Sequence, residues 1–263
     1  MVLSVFPGID LFGRAFEAEG FCVVRGPDVL WGGDVREFHP DPGWAWGVIG
    51  GSPCQDFSRA RRGPLSGRGW EMLKEFRRVV EEARPEWWLL ENVPGCPDLL
   101  VPGWGWQRTP VNQGWYSGVN RNRHFQFGSR SGVQVHVEAG RTMRGMQPAA
   151  LAHDARGFRA VCELQGLPRS FALPPFQVGE RVKAVGNGVP LVLGRTWARA
   201  ILEAYGCDVA GERPAFDRSA VVSVRCACGC GRVVRGRALY AGAACRKRAE
   251  RRRRGVSDQA REM

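Results

Sequence analysis

Residues 2–24 read VLSVFPGIDLFGRAFEAEGFCVV. Val2 to Phe6 is a short apolar run closed by Pro7-Gly8, the pattern of a buried strand with a turn behind it. Phe12, Ala15, Phe16 and Ala18 then line one face of a helix that runs to about Gly20. Phe21 to Val24 is apolar again and reads as a second strand. The same alternation continues downstream. Trp46–Ile49 is a strand ended by Gly50-Gly51. Trp70–Ala83 is a helix carrying Met72, Leu73, Phe76, Val79 and Val80, and it stops before Pro85. Trp87–Leu90 is a further apolar strand. Strands alternating with helices give an α/β fold whose parallel sheet is covered on both faces. Residues 97–120, rich in Gly, Trp and Pro, read as loops. His124–Phe127 and Val133–Val137 alternate like strands. Val189–Tyr205 reads as a helix following the turn Gly186-Asn187-Gly188.

The 263 residues, 44% of them hydrophobic, suit one globular domain with an appendage. No apolar run approaches the roughly 18–20 residues of a membrane span, and the first residues lack the basic and small-residue pattern of a secretory signal. The expectation is a cytoplasmic protein with no membrane association. The net charge of +12 is unevenly placed: residues 225–263 hold twelve Lys+Arg and three Asp+Glu, net +9, while the preceding 224 hold 26 and 23, net +3. A short, dense basic tail is an electrostatic footprint for nucleic acid; the bland alternative is a solvated appendage. Nine cysteines, an odd number without an export signal, argue for free thiols rather than a disulfide framework. Four of them, Cys226, Cys228, Cys230 and Cys245, lie within 20 residues and supply the thiol count of a structural tetrahedral zinc site. Their Cys-x-Cys-x-Cys spacing is tighter than the usual Cys-x-x-Cys, and reactive or incidental thiols are the competing reading.

Several segments carry chemistry. The first strand runs through Phe6-Pro7-Gly8-Ile9-Asp10 into a helix, a geometry that lets a ligand approach backbone amides. Such turns occur in every α/β protein, so this signal alone is weak. Asp34, in Gly33-Asp34-Val35, is expected near a later strand end, where ligands of such sheets gather. Gly50-Gly51-Ser52-Pro53-Cys54-Gln55 places a cysteine in a Gly/Pro loop straight after a buried strand, which leaves its thiol reachable. Glu91-Asn92-Val93 follows the next strand. A carboxylate there is either a helix cap or an acid whose burial fits it to hold or donate a proton.

Taken in order, these segments resemble the DNA cytosine-5 methyltransferase family. Phe6-Pro7-Gly8-Ile9 is similar to its first cofactor loop, Gly33-Asp34-Val35 to its adenine-reading segment, and Pro53-Cys54-Gln55 and Glu91-Asn92-Val93 to its catalytic elements. Arg121-Asn122-Arg123 resembles its Arg-x-Arg element, Leu164-Gln165-Gly166 its late leucine–glutamine–glycine element, and Gly186-Asn187-Gly188-Val189 its closing element. The match spans residues 1 to about 205. Asp10 stands where the family has a second glycine, Asp28 is the candidate ribose-binding acid in unusual surroundings, and Val119 replaces a glutamine.

The resemblance implies a Rossmann-like, S-adenosylmethionine-dependent methyltransferase sheet. It implies transfer of a methyl group to carbon 5 of a flipped cytosine through a covalent adduct to Cys54. Glu91 would hold the ring nitrogen, and Arg121 and Arg123 would clamp the base oxygen and a phosphate. Phe6, Gly8, Ile9, Asp10, Asp28, Asp34, Val35, Pro53, Asn187 and Val189 would surround the cofactor. An RNA cytosine-5 methyltransferase of the same fold, or an inactive DNA-binding relative, are the alternatives. The implied layout is a methyltransferase domain at 1–206 with a very small target-recognition region at 129–156, a linker at 207–220, and a Cys-rich, Arg-rich module at 221–263. Within 129–156, Arg130, Arg141, Arg144 and His153 are candidate DNA contacts. The implied partners are double-stranded DNA and a cognate restriction enzyme, with a monomeric chain in a bacterial cell, host- or phage-encoded.

Overall fold

The computed structural model describes residues 1–59, 61, 63–141, 145–174, 176–207, 224–225, 230, 233–234 and 242–247. It divides into two compact units, Met1–Pro214 and Ala215–Met263.

The first unit opens with β1 (Val2–Val5), α1 (Leu11–Glu17) and β2 (Val23–Arg25). β3 (Gly47–Gly51), α2 (Arg68–Ala83) and β4 (Trp87–Asn92) follow. Next come β5 (Gly105–Asn112), β6 (Val119–Asn120), β7 (Asn122–Ser129) and β8 (Gln147–Pro148). The unit closes with α3 (Gly157–Leu164), α4 (Val178–Asn187) and α5 (Leu191–Ala204). Six strands form one sheet in the order β2-β1-β3-β4-β7-β5. β2, β1, β3 and β4 pair in parallel, whereas β7 is antiparallel to both β4 and β5. The chain steps one way from β1 to β2 and the other way to β3. The strand order therefore reverses at β1, and ligands of open α/β sheets bind beyond strand C-termini at such a point.

Alternating side chains divide the sheet between two cores. Trp87, Leu89, Phe125 and Phe127 pack with Phe12, Phe16 of α1 and Leu193, Trp197 of α5. Trp88 and Leu90 pack on the other face with Met72, Leu73, Phe76, Val79 and Val80 of α2. Two glycines make room for the indoles. Gly47 lies opposite Trp87 and Gly128 opposite Trp88, and a β-carbon at either position would collide with the facing ring. Asp10 caps α1: in a left-handed conformation (φ 55°) its side chain accepts from Gly13 N. α2 ends at Arg84, also left-handed, immediately before Pro85.

Three segments fold differently from the sequence expectation. The segment 97–120 contains the eight-residue β5, because Gly105–Asn112 finds a partner along the whole of β7. Val133–Val137 joins no ladder; Val135 instead gives its N–H and C=O to the Gln107 side chain. Gly186-Asn187 is not a free turn but the last residues of α4, so the closing helix starts at Leu191, after Pro190. No described helix is long and apolar enough to cross a membrane.

In the second unit, β9 (Val224–Arg225) pairs antiparallel with β10 (Val233–Val234). The Cys230 and Cys245 sulfurs lie 4.0 Å apart. Cys226 and Cys228 lie outside the described residues, as does Arg144. Among the described residues no group of three or more His, Cys, Asp or Glu is placed to hold a metal.

Candidate active site

Because β3 and β4 are adjacent and parallel, their C-terminal ends finish on one rim, with Gly51 directly opposite Glu91. Cys54 follows three residues beyond β3. A β-carbon at Gly51 would lie 3.5 Å from Glu91 Oε2 and 3.8 Å from Val189 Cγ2, so these side chains flank the end of β3. Asn92 fastens the two segments together: its Nδ2 donates to Ser52 O (3.1 Å) and Ser52 Oγ (2.9 Å), while its Oδ1 accepts from Val93 N (2.8 Å). The bend after β4 is thereby tied to the residue two before Cys54. Arg123, one residue into β7, places Nε 2.8 Å from Glu91 Oε1, with both side chains largely buried.

Burial pushes the Cys54 thiol above its ordinary pKa, and the Glu91 carboxylate adds to this; Arg123 and Arg121 pull the other way. The thiol is therefore mostly protonated at neutral pH, and the balance of one anion and two cations sets how readily it ionises.

Arg121 is placed differently from the expected clamp on base and phosphate. It is 4% exposed, Nη1 donates to Ala150 O (2.7 Å), and Nη2 donates to Gly186 O and Gly188 O (3.2 Å each). Burial, with the neighbouring Arg123 charge, lowers its pKa to about 9. Three carbonyl acceptors favour the charged form, so it remains a guanidinium at neutral pH. Its terminal nitrogens bind β6–β7 to the end of α4 instead of facing the rim.

The cofactor-loop residues gather beyond β1. Phe6 (φ 56°), Gly8 (φ 54°) and Asp10 (φ 55°) are all left-handed, and a β-carbon at Gly8 would meet nothing within 4 Å. The Gly8 peptide is held from the loop after β2: its N–H donates to Asp28 Oδ2 (2.9 Å), and its C=O accepts from Trp31 Nε1 (2.6 Å). Asp28 Oδ1 also accepts from Leu30 N (2.8 Å). Trp31 itself is 59% exposed and packs edge-on against Phe176. Open space over Gly8, an exposed indole and the Asp28 carboxylate fit a nucleoside-bearing cofactor at this place.

Asp10 is corrected. It is 1% exposed and its oxygens face Ser4 Oγ, Gly13 N and Arg25 Nε, so it holds the turn from inside instead of meeting a ligand. Burial raises its pKa against those partners. Asp34 caps a single 3-10 turn by accepting from Arg36 N (2.9 Å), and the Arg36 side chain beside it holds its carboxyl at about 2. A ligand there would share Asp34 with Arg36. Ile9 and Val35 are buried, Pro53 is half-buried, and Asn187 is exposed at the end of α4. Arg130 lies at the opposite end of the sheet from Glu91, donating to Arg84 O, so it is not at this rim.

Residues without a conspicuous motif also build the site. Asp56, two residues after Cys54, accepts from Ser66 N (2.8 Å), Ser66 Oγ (2.9 Å) and Gly69 N (2.7 Å), closing the loop onto the start of α2. Arg108, on β5, donates to Pro94 O (2.7 Å) and Cys96 O (3.0 Å), pinning the loop after Glu91-Asn92. Behind it His124 has Arg108 Nη2 3.3 Å from Nδ1 and Gln126 Nε2 3.0 Å from Nε2. An acidic residue inside the cysteine loop was visible in the sequence; the Arg108 role was not, since β5 itself reads as loop.

Residues 34–98, which carry Asp34, Cys54 and Glu91, match the C-5 cytosine-specific DNA methylase family. Curated proteins similar to this chain include the Type II methylase M.HgiDII of Herpetosiphon aurantiacus, 40% identical over 18% of this chain and 13% of that one. The Type II methyltransferase M.AquIA of Picosynechococcus is 54% identical over 18% and 20%. M.NgoPII of Neisseria gonorrhoeae is 28% identical over 36% and 33%. The chain thus spans a third or less of the length of these relatives. Among solved structures, an E. coli prophage protein described as a DNA modification methyltransferase superposes with TM-score 0.59 at 14% identity, covering 78% of this chain and 99% of that one. The S. pombe Dnmt2 methyltransferase gives 0.58 at 11% identity, covering 78% and 98%. At those identities the likeness is one of fold: a central α/β sheet shared by proteins of very different sequence.

Proposed function

We propose that the protein is a DNA (cytosine-5-)-methyltransferase that uses S-adenosylmethionine. The observation that carries the reading is the pairing of a cysteine loop with Glu91 across the C-terminal rim of β3 and β4, with Arg123 bound to that carboxylate. The Cys54 thiolate adds to carbon 6 of a cytosine swung out of the duplex, which makes carbon 5 a nucleophile. Glu91 holds the ring nitrogen and Arg123 orients Glu91 beside the base, so negative charge developing on the ring meets fixed partners. Arg121 acts one layer back, bracing the strand that carries Arg123. S-adenosylmethionine, when bound, supplies the methyl group; the Gly8 turn, Asp28, Trp31, Asp34 and Val35 would hold it. Loss of the carbon-5 proton and expulsion of Cys54 then restore the aromatic ring.

By analogy with the Type II proteins it resembles, we infer double-stranded DNA as the substrate, a restriction enzyme of matching specificity as a partner, and a bacterial or phage gene acting in the cytoplasm. We assign residues 1–206 to catalysis, 129–156 to a reduced target-recognition region, and 221–263 to a zinc-stapled basic module. Supporting the zinc is the 4.0 Å between the Cys230 and Cys245 sulfurs. Two thiolates at about 2.3 Å from one tetrahedral zinc stand roughly 3.8 Å apart. Transfer of tritiated methyl groups from S-adenosylmethionine to duplex DNA, with tRNA as the parallel substrate, tests the proposal. Label in DNA cytosine supports it; label in tRNA alone replaces it with RNA methylation.

A further inference from the structure

Three asparagines meet where β5, β6 and β7 converge, beside the Arg-x-Arg element. Asn112 and Asn122 are register partners, and Asn120 is the last residue of β6. Their amide orientations follow from one backbone group. Gly114 N–H can only donate, and it donates to Asn112 Oδ1 (2.7 Å). Asn112 Nδ2 is therefore the donor side, and it donates to Asn120 Oδ1 (2.9 Å) and Asn122 Oδ1 (2.8 Å). Both outer amides thus turn their oxygens inward to Asn112 and present their NH2 groups outward. Asn120 and Asn122 are exposed, whereas β7 is buried from His124 to Ser129. Asn92 pairs with His124, so Asn122 stands two residues past the end of β4, at the same end of the sheet as Glu91. Among the described residues neither outward NH2 group has a hydrogen-bond partner.

Resting on the reading of the chain as a DNA methylase, we propose that Asn120 and Asn122 form a donor-only platform for the DNA backbone, binding the phosphates on either side of the flipped cytosine. An asparagine that reads adenine uses donor and acceptor together, on the base's acceptor and amino group. Here both acceptors face Asn112, which leaves N–H groups suited to phosphate oxygens. The location agrees: Asn122 immediately precedes Arg123, whose guanidinium holds Glu91. When a nucleotide leaves the stack, its flanking phosphates are drawn to the mouth of the site. Being uncharged, the amides fix register without displacing counterions.

The test is duplex binding by full-length N120A/N122A and by N122D, with duplexes that carry neutral methylphosphonates beside the target cytosine. We expect the double variant to bind about tenfold more weakly, as for lost hydrogen bonds to a charged group. Its slope of log affinity against log salt should be unchanged, and methylphosphonate should weaken wild type but not this variant. N122D, which keeps the inward oxygen but replaces the outward NH2 with a negative oxygen, should lose more on native DNA and recover on methylphosphonate DNA. Wild-type affinity in both variants, multiplying losses from variant and methylphosphonate, or an altered sequence preference would each overturn the platform. Wild type that binds no duplex would refute the DNA reading itself, and the platform with it.

Discussion

Cys54 ionises under three named charges, and these predict its chemistry in the free protein. Burial and Glu91 raise its pKa, while Arg123 and Arg121 lower it. Only the thiolate is alkylated, so the iodoacetamide rate at Cys54 should rise with pH to a midpoint above the ordinary thiol value of about 8.5. Removing the anion in E91Q should move that midpoint to lower pH, and removing the cation in R123M should move it higher. Site-resolved mass spectrometry separates Cys54 from the other thiols. A shift to higher pH in E91Q would mean that the carboxylate does not face the sulfur. Buried Cys96 serves as an internal control, since burial holds it at about 12.

At the scale of elements, the antiparallel pair β5–β7 buttresses the loop that follows Glu91, and its centre is a neutral histidine. Burial, with the Arg108 charge beside it, lowers His124 from 6.5 to about 4. Between those values the unfolded chain binds the proton and the folded one does not, so stability falls as pH falls from 6.5 towards 4 and is fully present above that window. The loss is about 3 kcal/mol from this group. Urea unfolding at pH 7 and pH 4 should show H124N losing less between the two pH values than wild type by about that amount; equal losses would place the acid sensitivity elsewhere. β5 also marks the limit of what the sequence discloses. The parallel strands β1, β3 and β4 are legible because each carries a continuous apolar run that the fold buries. Gly105–Asn112 has no such run; its place is fixed by the partner β7, a non-local fact. Cys54, Glu91 and Arg123 are legible as motifs, but Arg121 beside them turns inward to three carbonyls that come from residues 150–188. Asp10 likewise reads as a ligand-loop residue until its buried cap to Gly13 is seen.

In the molecule as a whole, the proposed chemistry belongs to the first unit and the dense basic charge to the residues after 220. Deleting residues 221–263 removes net +9 of charge. Each arginine that contacts a phosphate contributes about 0.9 to the slope of log affinity against log salt. The truncated protein should bind DNA more weakly with a visibly shallower slope and keep its sequence preference, and elemental analysis should find one zinc per full-length chain and none after truncation. Full-length protein without zinc and an unchanged slope on truncation would reduce those residues to an appendage.

In the proposed reaction the Cys54 sulfur bonds covalently to the target cytosine. A duplex containing 5-fluorocytosine at the target position blocks the final proton loss, so the adduct persists and survives denaturing gel electrophoresis. With S-adenosylmethionine present, wild type should be captured at one target per chain, a tryptic fragment should carry the nucleotide on Cys54, and C54S should bind the duplex yet give no adduct. Capture of C54S, or a nucleotide attached to any other residue, would contradict the account.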